Sequence, residues 1–125
     1  MRTVWIVDDD DEMSHAVRLM LELLDCSVTV FRDARSAAQE LMTSPRPDAM
    51  VLDINMPEVS GIDLLEFLRR RTEFQSIPVV MLSSETTDIQ VDEALKLGAD
   101  AFVFKPVTIE ELERALMEAI QSHTQ

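Results

Sequence analysis

The stretch TVWIVDDDDEM (residues 3–13) places a short apolar run directly before five consecutive acidic residues. The run is rich in large and β-branched apolar residues without polar alternation, which predicts a strand buried on both faces of a sheet. Carboxylates this close repel one another, so they must either spread into solvent or be neutralised by a cation. The acidic run is therefore the first feature that a fold must explain.

The rest of the chain alternates between two hydrophobic periods. Short apolar runs with strand-like composition occur at residues 3–7, 27–31, 49–53, 78–82 and 101–105. Between and after them, apolar residues recur three and four positions apart, as in amphipathic helices. Five strands alternating with five helices predict βαβ units and a parallel sheet covered on both sides. We therefore predict a doubly wound, flavodoxin-like α/β fold with strand order 2-1-3-4-5.

This fold predicts where a ligand binds. In a doubly wound sheet the site lies beyond the carboxyl ends of the strands, where the strand order reverses, here between strands one and three. Asp8 and Asp9 follow the first strand, and Asp53 ends the third. Ser83 and Lys105 stand at the ends of the fourth and fifth strands, on the same rim. We expect these five side chains to converge on one site.

Three close carboxylates indicate a hard divalent cation. Oxygen ligands favour Mg²⁺, with Mn²⁺ as an alternative. An EF-hand is excluded, because the sixth position counted from Asp8 is Met13 instead of Gly and the twelfth is Leu19 instead of Glu. A hydroxyl at Ser83 and an ammonium at Lys105 would supply donors for a tetrahedral oxyanion. Phosphoryl transfer to a carboxylate requires these parts.

Composition limits the partners and the setting. The 125 residues suffice for one domain, which we assign to residues 1–125. A formal net charge of −13 argues against direct binding of nucleic acid or an anionic membrane, because both require Lys and Arg. We expect neither a membrane span nor a leader segment, since no apolar stretch is long enough for a span. A single cysteine, Cys26, favours a reducing, cytoplasmic setting.

Four motifs together resemble a known family. The stretches VDDD (7–10) and LDINMPEVSG (52–61), Ser83 and the Lys105–Pro106 pair are similar to the response-regulator receiver domains of bacterial two-component signalling. Each motif alone is common, but the four occur at four strand ends, in the family's order, across essentially the whole chain. The resemblance implies a phosphorylation-activated switch that catalyses only its own phosphorylation and dephosphorylation and is not an enzyme on small molecules.

The resemblance also implies roles for the acidic residues. Asp53 would accept a phosphoryl group from the phosphohistidine of a histidine kinase or phosphotransfer protein. Asp9 and Asp53 would ligate Mg²⁺ through their side chains and Asn55 through its backbone carbonyl. Asp8 would act through a bound water.

The remaining site residues would form the switch. Lys105 would contact the phosphoryl oxygens, and its peptide bond to Pro106 would be cis. Ser83 would hydrogen-bond the acyl phosphate and draw the following loop inward; Ser84 competes for this role, but Ser83 aligns better. Phe102 is either the family's mobile switch aromatic or an aromatic of the core. The output surface would be the fourth helix, fifth strand and fifth helix, which would bind a downstream protein or effector domain.

Two further positions bear on the lifetime of the phosphoryl group. Asn55 and Glu85 resemble the pair found in chemotaxis-type receivers, which hydrolyse their acyl phosphate quickly, so we expect a short-lived phosphoryl state. The resemblance leaves open whether the chain is a monomer or a phosphorylation-dependent dimer. It also leaves open a stand-alone receiver or the N-terminal domain of a longer regulator.

Local signals predict several helix ends. Asp10 and Asp11 are interpreted as the first residues of the first helix, where the helix dipole favours acids. Ser60 is a candidate N-cap of the third helix. The first helix lacks the Gly that commonly follows a helix C-terminus. The arginines at 69–71 are interpreted as a solvated helix end near its negative pole.

Two other functions match parts of the pattern. A Mg²⁺-dependent phosphatase with an aspartyl nucleophile, of the haloacid-dehalogenase type, also carries Asp-x-Asp after strand one, which residues 8–10 could mimic. However, acids follow at 11 and 12 where that family has Thr or Val, and no second acidic pair follows a fourth strand. The third hypothesis is a non-phosphorylated interaction module, and the intact set of site residues argues against it.

Overall fold

The computed structural model describes residues 1–56, 59–83 and 88–123, in which five strands alternate with five helices. The strands are β1 (Arg2–Val7), β2 (Cys26–Phe31), β3 (Ala49–Asp53), β4 (Val79–Ser83) and β5 (Ala101–Phe104). The helices are α1 (Asp11–Leu23), α2 (Ala34–Thr43), α3 (Gly61–Arg70), α4 (Asp88–Leu97) and α5 (Ile109–Gln121). The alternation predicted from the sequence is confirmed, and each strand lies within one residue of its predicted bounds.

The strands form one parallel sheet in the order β2-β1-β3-β4-β5, which confirms the doubly wound, flavodoxin-like prediction. The order reverses between β1 and β3, and the last register pair between these two strands is Val7 with Leu52. The next residue of each chain segment is an aspartate, Asp8 or Asp53. Register alone therefore places two carboxylates side by side at the carboxyl edge of the sheet.

Two apolar layers cover the sheet, one on each face. Because successive strand side chains point to opposite faces, Met50 and Leu52 join the layer with α2, α3 and α4, while Val51 joins the layer with α1 and α5. All residues of β3 and β4 are buried. Burial on both faces explains why these strands lack polar alternation. Among the described residues, no helix is both long and apolar enough to cross a bilayer.

The helices that flank the acidic edge begin at side-chain caps. Asp10 is the N-cap of α1 and accepts from the backbone N–H groups of Glu12 (3.0 Å) and Met13 (3.2 Å), which agrees with its interpretation as a helix-start residue. Ser60 caps α3 in a reciprocal capping box, as predicted. After α1, Asp25 adopts the left-handed conformation (φ 64°) that Gly commonly takes at a helix end.

The prediction of a solvated arginine cluster is wrong for Arg69. Its guanidinium pairs with Asp100 at 2.9 Å, and the two side chains are only 14% and 11% exposed. It also donates to the carbonyls of Gly98 (3.0 Å), Gln75 (3.1 Å) and Ile77 (2.8 Å). Arg69 therefore links the C-terminal end of α3 to the loops before β4 and β5, which the sequence pattern of α3 did not indicate.

Candidate functional site

The strand order reverses between β1 and β3, and the carboxyl ends of these two strands bring three carboxylates together. Asp8 and Asp9 follow β1, and Asp53 is the last residue of β3. Each residue offers one carboxylate oxygen, and these oxygens lie within 4.8 Å of one another. The convergence predicted from the strand order is thus present in the structure. Asp8 and Asp53 are buried, and Asp9 is half-buried.

Asp8 is the deepest carboxylate of the group, with no solvent exposure. Its Oδ1 accepts from the Asp10 backbone N–H at 2.9 Å. In the described part of the chain, its Oδ2 is the one buried side-chain nitrogen or oxygen atom that has no hydrogen-bond partner. The pKa of Asp8 is raised to about 7, chiefly by burial and also by the adjacent charge of Asp53, against the lowering effect of the Asp10 hydrogen bond.

An unpaired buried carboxylate oxygen is costly unless a proton or a cation compensates it. The donor set at this site consists of oxygens only, which fits Mg²⁺ or Mn²⁺. The orphaned Oδ2 of Asp8 and the close approach of Asp9 and Asp53 are therefore the structural observations that a divalent cation would explain. Such a cation would offset the negative charge of the three carboxylates and could also be coordinated by oxygens of a phosphoryl group.

Asp53 is fixed at the end of β3. Its Oδ1 accepts from the Asn55 backbone N–H at 3.2 Å and lies 3.5 Å from Nζ of Lys105. The next peptide group continues the sheet, because Ile54 donates to the Leu82 carbonyl at 3.0 Å. The carboxylate is 4% exposed and is held from two directions. Its orientation is therefore set before any ligand binds.

Gly61, the first residue of α3, allows the helix to approach Asp53. A Cβ added at Gly61 would overlap the carbonyl oxygen of Asp53 and lie 2.8 Å from its carbonyl carbon. Its N–H donates to the Ile54 carbonyl at 3.3 Å. This residue ends the LDINMPEVSG motif, and no role for it was predicted from the sequence. The available signal was its rarity, since the chain has only two glycines.

Ser83 and Lys105 complete the rim. Ser83, the last residue of β4, is fully buried and pairs in register with Phe104. Lys105 follows β5, and its backbone N–H donates to the Ser83 carbonyl at 2.8 Å. The Lys105–Pro106 peptide bond is cis, as predicted. A carboxylate, a hydroxyl and an ammonium therefore stand at the ends of three adjacent strands.

The other predicted positions lie around this rim. Asn55 is exposed on the loop after β3. Phe102 is half-buried and packs against the apolar layer of α2, α3 and α4, with its ring 6.3 Å from that of Phe104. This position suits both a core aromatic and a switch aromatic. Glu85 and Ser84 lie outside the described residues.

The family model and the related proteins that match this chain indicate one family, the response regulators. The family model for the response regulator receiver domain matches residues 4–117. The chemotaxis protein CheY of Pseudomonas aeruginosa is 32% identical over 113 residues, which are 90% of this chain and 91% of that protein. The transcriptional regulatory protein KdpE of Mycobacterium tuberculosis is 32% identical over 99% of this chain. Some relatives are longer, since the chain spans 53% of KdpE and 18% of protein RcaC of Microchaete diplosiphon.

Solved structures share the fold. The signal receiver domain of a signal transduction histidine kinase from Syntrophus aciditrophicus aligns with a TM-score of 0.88 and 26% identity, covering 100% of this chain and 94% of that one. The Vibrio cholerae chemotaxis protein CheY4 aligns with a TM-score of 0.86 and 28% identity, over 95% of this chain and 98% of that one. The similarity therefore extends over nearly the whole chain.

Proposed function

The chain belongs to the response-regulator receiver domains of two-component signalling, and from that membership we propose that it is a switch phosphorylated on Asp53. The observation that carries this proposal is the contact between the Asp53 carboxylate and Lys105 Nζ (3.5 Å), beside the buried carboxylates of Asp8 and Asp9. This arrangement supplies a nucleophile, a counter-charge and a cation site within one rim.

The proposed reaction is transfer from a phosphohistidine of a histidine kinase or phosphotransfer protein. A carboxylate oxygen of Asp53 attacks phosphorus, the P–N bond breaks, and its electron pair stays on the imidazole nitrogen. The product is an acyl phosphate. The Asn55 N–H orients the nucleophile through Oδ1. Lys105 counters the negative charge of the transferred oxygens. In this account the chain acts only on its own phosphorylation and dephosphorylation and turns over no small molecule.

The cation would be Mg²⁺, or Mn²⁺ in its place. Asp9 and Asp53 would ligate it with their side chains, Asn55 with its backbone carbonyl, and Asp8 through a water. When bound, it would offset the charge of the acids and of the phosphoryl oxygens. The unpartnered Oδ2 of Asp8 supports this assignment, because that oxygen otherwise lacks compensation in the described structure.

Signal output would begin at Ser83, at the carboxyl end of β4, which lies next to β3 in the sheet. Ser83 would bind the acyl phosphate and shift the loop after β4, and Phe102 would turn inward with it. The output surface would consist of α4, β5 and α5, here named the α4–β5–α5 surface (Asp88–Leu97, Ala101–Phe104 and Ile109–Gln121). A downstream protein or an effector domain would bind there. Asn55 and Glu85 would set a short phosphoryl lifetime.

The setting of this switch is also a proposal. Residues 1–125 would form one receiver domain, stand-alone as in CheY or N-terminal in a longer regulator as the share of KdpE suggests. We propose a cytoplasmic location, which family membership and the single unpaired cysteine, Cys26, support. A charge of −13 argues against direct nucleic-acid or membrane binding.

The experiment that tests the proposal is intact-mass spectrometry after incubation with acetyl phosphate, with Mg²⁺ or with EDTA. We expect one phosphoryl adduct on the wild-type chain with Mg²⁺ and none on Asp53→Asn. A full adduct on Asp53→Asn would refute the assigned acceptor. No adduct, together with steady phosphate release from phosphomonoesters, would indicate the phosphatase instead.

A further inference from the structure

Charge is unevenly distributed over the five helices. α2 and α3 each carry as many basic as acidic residues, and α1 has a formal charge of −2. α4 and α5 together carry seven acidic and two basic residues, a formal charge of −5. Outside the acidic edge of the sheet, negative charge is therefore concentrated on the two helices of the α4–β5–α5 surface.

One contact identifies the side of α5 that borders β5. Ser122, the C-cap of α5, donates from Oγ to Oδ1 of Asp100 (3.0 Å), and Asp100 directly precedes β5. Glu118 and Glu111 lie four and eleven positions before Ser122, which places them on the same side of the helix. Both are exposed. Of these two glutamates, only Glu118 has a basic partner among the described residues, Arg114 at 2.8 Å.

Apolar side chains lie on the same surface. Leu95 of α4 is 51% exposed. Phe102 and Phe104 of β5 are half-buried and stack with an interplanar angle of 18°. Within the described sheet β5 is an edge strand, so no further strand covers it. Apolar side chains of α4 and β5 therefore share this surface with the acidic helices, which is a pattern that an amphipathic segment of opposite charge can cover.

The surface is linked directly to the acidic site. Phe104 pairs in register with Ser83, and the backbone N–H of Lys105 donates to the Ser83 carbonyl at 2.8 Å. A segment bound over β5 therefore lies one residue from a side chain of the proposed phosphorylation site. Binding at this surface and chemistry at the rim therefore both involve β5, which offers a direct structural route for coupling between them.

We propose that the α4–β5–α5 surface binds a basic, amphipathic segment of a partner protein and not a second copy of this chain. This inference rests on the proposed function, because it specifies the partner of the proposed output surface. Lys and Arg of the partner pair with Asp92, Glu111 and Glu118, and its apolar side chains cover Leu95 and the two stacked rings. Charge complementarity favours such a segment and steers its association.

Self-association through the same surface is disfavoured by charge. A symmetric dimer buries the same patch of both copies, so α4 and α5 of one copy would face α4 and α5 of the other. Each pair of helices carries −5 and offers only Lys96 and Arg114 as counter-charges. Arg114 is already paired within its own helix. Like charges facing one another at an interface act against the homodimer.

The test uses the full chain and a fluorescently labelled amphipathic helix of Leu and Lys. Helices of the same length with Glu or Gln in place of Lys are the control peptides. Anisotropy reports binding at low and at raised salt, before and after treatment with acetyl phosphate and Mg²⁺. Intact mass measures the phosphoryl occupancy of every sample, and sedimentation velocity measures the oligomeric state.

Two variants with equal change in charge separate a local effect from net charge. The surface variant combines Asp92→Asn, Glu111→Gln and Glu118→Gln. The control variant replaces three acids away from the surface by Gln, namely Glu22, Glu66 and Glu73. Glu22 in the control variant closely matches Glu118 in the surface variant. Glu22 contacts Arg18 (3.3 Å) four positions away on α1, and Glu118 contacts Arg114 four positions away on α5.

We expect the Lys helix to bind wild type and the control variant equally, and the surface variant roughly tenfold more weakly. Binding should weaken as salt rises, and the chain should sediment as a monomer. Equal affinity for wild type and the surface variant would overturn the proposal. A wild-type dimer that the surface variant dissociates would overturn it as well. A missing phosphoryl adduct would instead contradict the proposed function. In that case, the affinities of the unphosphorylated chain for the Lys, Glu and Gln helices would still test whether the surface prefers a basic partner.

Discussion

The Nζ atom of Lys105 lies 3.5 Å from Oδ1 of Asp53, although β4 separates the strands that carry the two residues. The side chains are 19% and 4% exposed, so this contact is shielded from solvent. An ammonium held at that distance can stabilise negative charge that is added to the carboxylate without further rearrangement. The contact is therefore the structural basis of the proposed phosphoryl acceptor.

Removal of the ammonium should slow phosphorylation and uncouple it from output. Lys105→Met keeps most of the side-chain length and loses the charge, so we expect adduct formation with acetyl phosphate to slow by roughly one to two orders of magnitude. Amide hydrogen exchange in β5 and α5 should then no longer change on phosphorylation. Lys96→Met, at the only other lysine, should leave the phosphorylation rate unchanged. Wild-type rate and exchange response in Lys105→Met would contradict this role.

Asp8 should dominate the pH dependence of the metal-free protein. Its pKa is raised from 3.8 to about 7, chiefly by burial, so the folded state binds the proton more tightly than the unfolded state. Stability from this group is fully present below pH 4 and is lost as pH rises through 7. Asp8→Asn should remove that loss and stabilise the protein in EDTA at pH 8 by about 2–4 kcal/mol.

Urea unfolding in EDTA across this pH range measures the effect of Asp8→Asn. Added Mg²⁺ should stabilise wild type and stabilise Asp8→Asn less, because ligand binding to the folded state alone raises stability. Asp92→Asn replaces an exposed carboxylate on α4 and serves as the control, with the wild-type profile expected. Parallel pH profiles for wild type and Asp8→Asn would argue against a strained, buried Asp8.

Gly61→Ala should damage the fold and the acceptor together. The new Cβ would overlap the backbone carbonyl of Asp53, which cannot move aside like a flexible side chain. We expect a loss of about 2–4 kcal/mol in the free energy of unfolding, with slower phosphorylation of the folded fraction.

The chain's other glycine provides the control for Gly61→Ala. Gly98 has φ 104°, so Gly98→Ala is strained by its backbone conformation, but it lies beside Arg69 at the opposite edge of the sheet. It should lower stability by about 1–2 kcal/mol and leave the phosphorylation rate of the folded protein unchanged. Equal phosphorylation rates for the two variants would show that Gly61 has no special relation to Asp53.

The buried pair of Arg69 and Asp100 should contribute far more to stability than surface ion pairs do. Arg69→Met leaves Asp100 with its contacts to the Val79 N–H (2.8 Å), Ser122 Oγ (3.0 Å) and His123 Nε2 (3.0 Å) but without the guanidinium. Loss of one partner of a buried pair costs about 3–5 kcal/mol. Arg114→Met breaks a pair that is 52% exposed on both sides, and the cost should stay below about 1 kcal/mol. Similar urea midpoints for the two variants would contradict this contrast.

The sheet was predictable from the sequence because its strands are buried on both faces. Apolar runs such as 49–53 and 78–82 carry no alternation and are bounded by helical periods, which restricts the fold to parallel βαβ units. Helix starts were also readable where a side chain caps the backbone, as at Asp10 and Ser60. The burial of Arg69 was not readable, because its partners lie 6 to 31 positions away and local periodicity carries no information on them.

The members of the site could be predicted because each one ends a strand, and parallel strands bring their carboxyl ends to one edge. The burial, hydrogen bonding and pKa values of these residues could be obtained only from the three-dimensional structure. The unpartnered Oδ2 of Asp8 and its raised pKa depend on burial by surrounding elements. The role of Gly61 depends on the approach of α3 to the Asp53 carbonyl. Neither packing distance can be inferred from residue order alone.

The most direct test of the account locates the phosphoryl group chemically. The chain is incubated with acetyl phosphate and either Mg²⁺ or EDTA, reduced with borohydride, digested and mapped by tandem mass spectrometry. Borohydride converts an aspartyl phosphate to homoserine and leaves free carboxylates unchanged. We expect homoserine at position 53 alone, and only with Mg²⁺. Homoserine at position 8 or 9, or equal yields with EDTA, would contradict it.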